Sequence, residues 1–204
     1  LSSGTIRIGT ISSISAHWLP LLIQKFQQQY PQVKFILHQG DYTTIPEWVR
    51  TNQVDFGFVS PDALPHTDVQ FVKSGALKAV LPPNHPLVQH GFVTLADLTS
   101  EPFLELEEGS YSEPLAAFEK AHLQPNIKLR VHDDYSILSM VELGLGVSIL
   151  PELVLQKTAY NVAILPIKPE LTRNIGMISQ KKEMLPIASQ YFINFIMKNI
   201  DLLP

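Results

Sequence analysis

Strand-like and helix-like segments alternate along the first eighty residues, and this alternation limits the possible folds more than any other feature of the sequence. Residues 4–31 come first and read GTIRIGTISSISAHWLPLLIQKFQQQYP. Ile6 and Ile8 fall on one face of a short strand. Apolar residues then recur at helical spacing from Trp18 to Tyr30, with polar residues between them. The stretch therefore predicts a strand, a serine-rich turn and an amphipathic helix.

The serines of this turn have two possible roles. Pro20 lacks a backbone N–H and belongs in a first helical turn, so regular helix is predicted to begin at residues 17–18. Ser12, Ser13 and Ser15 would then lie against the helix N-terminus, where unpaired N–H groups hold a polar or anionic group. The same serines can instead simply cap the helix. The stretch alone leaves both roles open.

The later segments predict two β/α sets, which we call lobes. Lobe I comprises residues 1–77 and 172–204, because the tail has no partner set of its own and the first set lacks a closing strand and helix. Lobe II comprises residues 78–171. The sequence thus predicts an α/β fold whose two lobes are joined by two crossing strands. Ligands of such sheets bind where strands end and helices begin.

Local patterns sharpen several element boundaries. Thr44 with Glu47, and Ser110 with Glu113, have the spacing of capping boxes at helix starts. Thr94 is predicted to cap a short helix. Four separate strands are predicted from the remaining apolar runs, at residues 69–72, 77–81, 162–167 and 174–179.

The overall composition excludes several classes of protein. The 204 residues carry a formal net charge of −4, so no basic surplus suggests nucleic-acid binding by this segment. The absence of cysteine excludes disulfides and thiolate metal sites and fits a cytosolic protein. No apolar run reaches the ~18 residues of a membrane span, and no signal-peptide pattern is present. The chain opens almost directly into a strand, as a piece cut from a longer protein would.

Motifs for catalysis or metal binding are not found. The seven histidines have no metal-ligand spacing, and Gly144 and Gly146 follow a helix instead of opening one, unlike a dinucleotide fingerprint. Glu105 and Glu107 share one face of a strand, which admits paired-carboxylate catalysis, but no nucleophile lies near them in sequence, so a solvated strand end is preferred. We expect no catalytic residue, no metal, no cofactor and no enzymatic activity.

Polar residues instead collect where predicted strands end. They form a ring suited to a small polar ligand and contain no Lys or Arg; the ring consists of Ser12, Ser13, Ser15, Gly40, Asp41, Ser60, Glu108, Ser110, Asp134 and Ser136. An enzyme on the same scaffold would need an acid, base or cofactor lysine here, and none is evident.

In order along nearly the whole chain, several phrases resemble the effector-binding domain of LysR-type transcriptional regulators. They are GTIRIGTISS, WLPLLIQKFQQQYPQVKF, VDFGFV, LPPNHPL, LADLTSEPF, SILSMVELGLGVSILP and RNIGMIS. The resemblance implies a type 2 periplasmic-binding-protein fold with two Rossmann-like lobes and an effector bound in the cleft between them. It also implies an N-terminal DNA-binding winged helix-turn-helix domain that is absent from this chain.

The resemblance further implies a cytoplasmic regulator that binds a small-molecule effector, forms a homodimer or homotetramer, and contacts DNA only through the missing domain. Family positions carried onto this sequence give effector contacts from the predicted strand ends; they are Ser12, Ser13, Ser15, Gly40, Asp41, Val59, Ser60, Ser110, Asp134 and Ser136. The dimer would pair helix 18–30 with helix 113–122 of a partner.

The sequence departs from the family pattern at Asn52 and Gln53, where a glycine usually ends the helix. The family usually binds an anionic effector, but two acidic groups leave the charge of the effector open here; they are the cluster Glu105, Glu107 and Glu108 and the pair Asp133 and Asp134. An extracytoplasmic solute-binding protein of a transporter would have a similar fold and cleft and is the alternative function.

Overall fold

The computed structural model describes all residues from Leu1 to Pro204 and divides into two compact units. Unit 1 comprises Leu1–Ser74 and Asn174–Pro204, and unit 2 comprises Gly75–Arg173. Fifteen helices and strands follow in chain order; they are β1 (Gly4–Thr10), α1 (Ser12–His17), α2 (Leu19–Gln29), β2 (Val33–Gln39), α3 (Thr44–Arg50), β3 (Phe56–Val59), β4 (Gln70–Leu81), α4 (Leu95–Leu98), β5 (Pro102–Leu106), α5 (Glu113–Lys120), β6 (Asn126–Val131), α6 (Asp134–Glu142), β7 (Ser148–Pro151), β8 (Ala163–Ser179) and α7 (Ile187–Lys198). Five short 3-10 helices complete the chain; they are Pro61–Ala63, Pro86–His90, Glu152–Leu155, Lys182–Met184 and Ile200–Leu202.

Unit 1 is built on the predicted β/α alternation. β1 pairs in parallel with β2 and with β3, so the carboxyl ends of all three strands lie at the same edge of the sheet. The last part of β8 adds to β3 in the antiparallel direction, with Phe56 opposite Ser179 and Val59 opposite Gly176. Parallel strands must be joined by crossover connections, and α1, α2 and α3 provide these connections. This explains why the first part of the chain carries so many amphipathic helices.

An aromatic cluster forms the helix-covered side of unit 1. Phe26 of α2 and Phe192 of α7 lie edge to face with ring centroids 5.0 Å apart, and Phe35 of β2 lies 4.9 Å from Phe192. Phe195 also packs on Phe26, at 5.4 Å. Phe26 and Phe192 are almost completely buried. Each such ring pair adds roughly 0.5–1.5 kcal/mol beyond simple burial, so α7 and α2 stabilise one another directly.

A buried carboxylate links three segments of unit 1. Asp55, just before β3, accepts hydrogen bonds from the backbone N–H of Arg7 at 2.8 Å and from the Ser189 hydroxyl at 3.0 Å. The Arg7 guanidinium lies 3.3 Å from the second carboxylate oxygen. The Asp55 charge is therefore balanced by β1 and α7 together, which makes its burial tolerable.

Unit 2 has apolar residues on both faces of its central strand. Leu77, Ala79 and Leu81 of β4 enter one buried cluster, whereas Val80 enters another. β4 pairs antiparallel with β7, and β5 pairs in parallel with β6. A strand that is buried on both faces must be nearly all apolar, as the run LKAVL is.

Two pairs of predicted strands are single long strands. The runs 69–72 and 77–81 form the continuous β4, and the runs 162–167 and 174–179 form the continuous β8. Polar residues in the middle of each strand interrupt the apolar pattern because those residues are exposed, which hides the continuity in the sequence. Both strands pass from one unit into the other.

The family departure at Asn52 has a backbone explanation. Asn52 has φ of +60°, the left-handed conformation that glycine adopts most easily and asparagine tolerates best among other residues. It follows the C-cap Thr51 of α3, where such a residue ends a helix. Asparagine at this position therefore adopts the conformation that a glycine most easily provides at the end of a helix.

The packing around Gly57 of β3 leaves no room for a side chain. A Cβ atom there would lie 2.3 Å from Cγ2 of Ile45, a completely buried side chain of α3. We expect Gly57→Ala to lower the free energy of unfolding by about 1–3 kcal/mol through overpacking. Urea denaturation measures this change. Gly75→Ala is the matched control, because no atom lies within 4 Å of its added Cβ, and equal effects of the two substitutions would contradict the packing argument.

Candidate functional site

The serines after β1 lie inside the first turns of a helix. α1 begins at Ser12, not at residues 17–18, and a second helix, α2, follows from Leu19 with Pro20 in its first turn. The N-cap of α1 is Ile11, and no side chain caps the helix. The capping interpretation of these serines is therefore wrong.

The three serines differ in what they contact. Ser15 donates to the Ser12 carbonyl at 3.1 Å and accepts from the Gln39 side chain at 3.0 Å. Ser13 is 2% exposed, and its hydroxyl oxygen has no hydrogen-bond partner. A buried hydroxyl without a partner costs free energy, so Ser13 has unused capacity to bind a polar group.

The loop after β2 lies next to these serines. The Gly40 N–H donates to the Thr10 carbonyl at 2.9 Å, which fixes the end of β2 beside the end of β1. Asp41 accepts hydrogen bonds from the N–H groups of Thr43 and Thr44 at 2.9 and 2.7 Å. Asp41 therefore holds the start of α3, and the predicted capping box of Thr44 is wrong because Asp41 occupies that role and Glu47 pairs with Arg50 instead.

Val59 and Ser60 end β3 and are completely buried. The Ser60 hydroxyl accepts from the N–H of Asp62 at 3.2 Å and so caps the 3-10 helix Pro61–Ala63. Parallel pairing of β1 with β2 and β3 places these residues at the same sheet edge as Ser13 and Gly40. Unit 1 thus gathers its predicted contact residues at one edge, with the Ser13 hydroxyl as the group left without a partner.

The corresponding residues of unit 2 lie where β5 and β6 end. The Glu107 N–H donates to the Val131 carbonyl at 2.8 Å, so the ends of β5 and β6 are adjacent. Asp134 follows Val131 by three residues and begins α6. Ser110 is exposed, and the N-cap of α5 is Ser112, which accepts from the Leu115 N–H at 3.2 Å. The predicted capping box of Ser110 is therefore wrong.

Asp133 and Ser136, which lie close to Asp134 in the sequence, form hydrogen bonds that cap the N-terminus of α6. Asp133 is the N-cap and accepts from the N–H groups of Tyr135 and Ser136 at 3.3 and 3.1 Å. The Ser136 hydroxyl also donates to Asp133, at 2.8 Å. Ser136 therefore already has a partner, whereas the adjacent Asp134 takes no part in this cap.

Asp134 is the most unusual carboxylate of unit 2. It is 3% exposed, and its Oδ1 atom has no hydrogen-bond partner. Burial raises the pKa of Asp134 from 3.8 to about 6, against a lowering influence of the Arg173 charge and with a further increase from Asp133. A fraction of Asp134 is therefore protonated near neutral pH.

Arg173 is a residue that the sequence did not single out, and its charge lowers the pKa of Asp134. It is 4% exposed, and its Nη1 atom has no hydrogen-bond partner. The signal was present in the sequence: Arg173, Ile175 and Met177 alternate on one face of β8, and all three are buried. Arg173 lies within a strand and not in a loop, so it is not among the polar residues at the predicted strand ends.

Glu105 and Glu107 are not a free carboxylate pair. Glu105 is buried and lies 2.8 Å from the Arg130 guanidinium, while Glu107 lies 3.5 Å from the His132 ring. A separate pocket of unit 2 lies at the start of α5, and its lining includes Glu108, Ser112, Glu113, Leu77 and Ile149. Neither Ser110 nor Asp134 lines that pocket.

The sequence model described as "LysR substrate binding domain" matches residues 1–201. The chain belongs to the LysR substrate-binding domain family. As a LysR domain it has the expected type 2 periplasmic-binding-protein fold, and it is similar to regulators, which gives the solute-binding alternative no support. None of its helices is long and apolar enough to cross a membrane.

Two curated relatives come from Bacillus subtilis. The transcriptional dual regulator GltC is 30% identical over 196 residues, covering 93% of this chain and 65% of GltC. The uncharacterised HTH-type transcriptional regulator YvbU is 29% identical over 197 residues, covering 95% of this chain and 66% of YvbU. The LysR domain thus spans slightly less than two thirds of the length of these relatives.

Among solved structures, the effector binding domain of QuiR in complex with shikimate is similar over almost its full length. The TM-score is 0.87 at 26% identity, with 98% of this chain and 99% of that chain covered. The cofactor-binding domain of the Cbl transcriptional regulator, at 21% identity and a TM-score of 0.85, covers 98% of this chain and 91% of its own and shares the fold.

The raised pKa of Asp134 predicts a stability change with pH. Between its unfolded pKa near 3.8 and its folded pKa near 6, the folded LysR domain binds the proton more tightly, so stability gained from this group grows as the pH falls from 7 to 4. We expect the free energy of unfolding of the wild type, relative to Asp134→Asn, to rise by about 2–3 kcal/mol over that range. Urea denaturation of both proteins at each pH measures it. A difference that stays constant with pH would show that Asp134 titrates normally.

Proposed function

We propose that this LysR domain is the sensor of a cytoplasmic transcription regulator and binds a small polar metabolite with its strand-end residues. The observation that carries the proposal is that two of the predicted contact residues, Ser13 in unit 1 and Asp134 in unit 2, each bury a polar atom without a partner. Native proteins satisfy nearly all such atoms, so each exception needs an explanation, and a bound ligand is the one that we propose here. The contact residues of this site are those predicted from the sequence, with Ser13 and Asp134 as the principal ones.

The proposed mechanism is a shift between conformations. A metabolite that hydrogen-bonds Ser13 or Asp134 satisfies the unpartnered atom of that residue only in the conformation to which it binds. The metabolite shifts the free-energy difference between the two conformations by the difference between its binding free energies for them. We propose that the domain acts in sensing and not in catalysis, and that a winged helix-turn-helix domain outside this chain contacts DNA.

QuiR supports a hydroxylated acid as the first compound to test, because its effector binding domain was solved with shikimate. A thermal-shift screen should therefore include shikimate with amino acids, small carboxylates and sugar phosphates. A ligand at 100 times its Kd stabilises the folded state by about 2.7 kcal/mol, which raises the melting temperature by several degrees.

Ser13→Ala should weaken binding of any compound found in this screen by roughly 3- to 10-fold, because one buried hydrogen bond is lost. Titration calorimetry measures the change. Ser3→Ala is the matched control, since Ser3 is an exposed serine of the same unit. A compound whose affinity is the same for both variants binds elsewhere and would refute the role of Ser13.

We also propose that the domain forms a homodimer or a homotetramer, as its family resemblance implies. Light scattering should then give at least twice the chain mass of 22.9 kDa at micromolar concentration. A monomer mass at every concentration up to 0.5 mM would contradict self-association through this domain.

A further inference from the structure

Unit 2 buries two opposite charges that do not satisfy each other. Asp134 and Arg173 are 3% and 4% exposed, and Oδ1 of the one and Nη1 of the other have no hydrogen-bond partner. The Arg173 charge lowers the pKa of Asp134, so the two groups are close enough to interact. Each side chain nevertheless keeps one polar atom without a hydrogen-bond partner.

This arrangement is unlike that of two other buried carboxylates of the chain, Glu105 and Asp55. Glu105 lies 2.8 Å from the Arg130 guanidinium, and Asp55 accepts from Arg7 and Ser189. Folded proteins pair buried charges in this way because an unpaired charge is costly. Asp134 and Arg173 therefore retain binding capacity that the fold itself does not use.

Helix capping does not explain Asp134 either. Asp133 already accepts from the N–H groups at the start of α6, so the Asp134 side chain has no part in the cap. Arg173 comes from β8, and the buried residues Ile175 and Met177 continue the same strand face. Two different elements thus supply an acceptor and a donor, both buried.

We infer that Asp134 and Arg173 form a subsite for a hydroxyl group of the effector. A carboxylate only accepts hydrogen bonds and a guanidinium only donates them, so one group that does both satisfies Oδ1 and Nη1 together. A ligand carboxylate is repelled by Asp134, and a ligand ammonium is repelled by Arg173. This inference rests on the proposed function and adds that the effector is hydroxylated at the position that Asp134 and Arg173 contact.

The test compares compounds that differ only in hydroxyl groups. The probes are shikimate with cyclohex-1-ene-1-carboxylate, quinate with cyclohexanecarboxylate, and malate with succinate, each titrated calorimetrically into the full chain. We expect at least one hydroxylated compound to bind tenfold or more tightly than its partner. A buried polar site that loses its hydrogen-bonding group discriminates by at least this factor.

Substitutions of Arg173 and Asp134 test whether these two residues cause the preference for the hydroxylated compound. Arg173→Met removes the donor, and Asp134→Leu with Arg173→Met removes both charges together, which spares the fold an unpaired buried charge. Both variants should bind the hydroxylated and deoxy compounds within threefold of each other. Lys128→Met, which removes an exposed cation of the same unit, is the control and should keep the tenfold preference.

The outcomes separate the subsite from the proposed function. Binding without any hydroxyl preference, or a preference that survives in the double variant, overturns the subsite and leaves small-molecule sensing in place. The second result would mean that the hydroxyl group binds at another place and does not contact Asp134 or Arg173. If no compound binds, the proposed sensing of such metabolites fails, and the subsite fails with it.

Discussion

The buried Asp55 carboxylate is the interaction on which unit 1 depends. It receives hydrogen bonds from β1 through the Arg7 N–H and from α7 through Ser189, groups that lie at opposite ends of the sequence. These bonds hold β1 and α7 against the segment that leads into β3. β1 in turn pairs with β2 and β3, and the residues after these strands include Ser13, Gly40 and Ser60.

The β/α alternation was readable from the sequence because amphipathic helices and buried strands have different periods. Parallel pairing of β1 with β2 and β3 followed from that alternation. Single residues at element ends were less predictable. Thr44 and Ser110 have the right type and spacing for caps, but Asp41 and Ser112 make the bonds, since side-chain geometry decides between neighbouring candidates of similar propensity.

Some residues of the candidate site were likewise predictable from the sequence, and others were not. Asp134 and Ser13 were found because loops at strand ends collect polar residues, and this holds for any sheet of this type. Arg173 was not found because it lies within a strand, where its charge is unexpected. Only the alternation of Arg173 with Ile175 and Met177 reveals it, and that pattern becomes meaningful once β8 is known to be continuous. Whether buried atoms have partners cannot be read from sequence, because partners come from distant segments.

The discontinuous make-up of unit 1 has a consequence for how the chain folds as it is made. Residues 75–173 of unit 2 leave the ribosome before residues 174–204, which carry the final strand segment and α7 of unit 1. Phe26 and Phe35 therefore wait for Phe192, and Asp55 waits for Ser189, until α7 has been synthesised. Unit 2 can complete its core during translation, whereas unit 1, although begun first, is completed last.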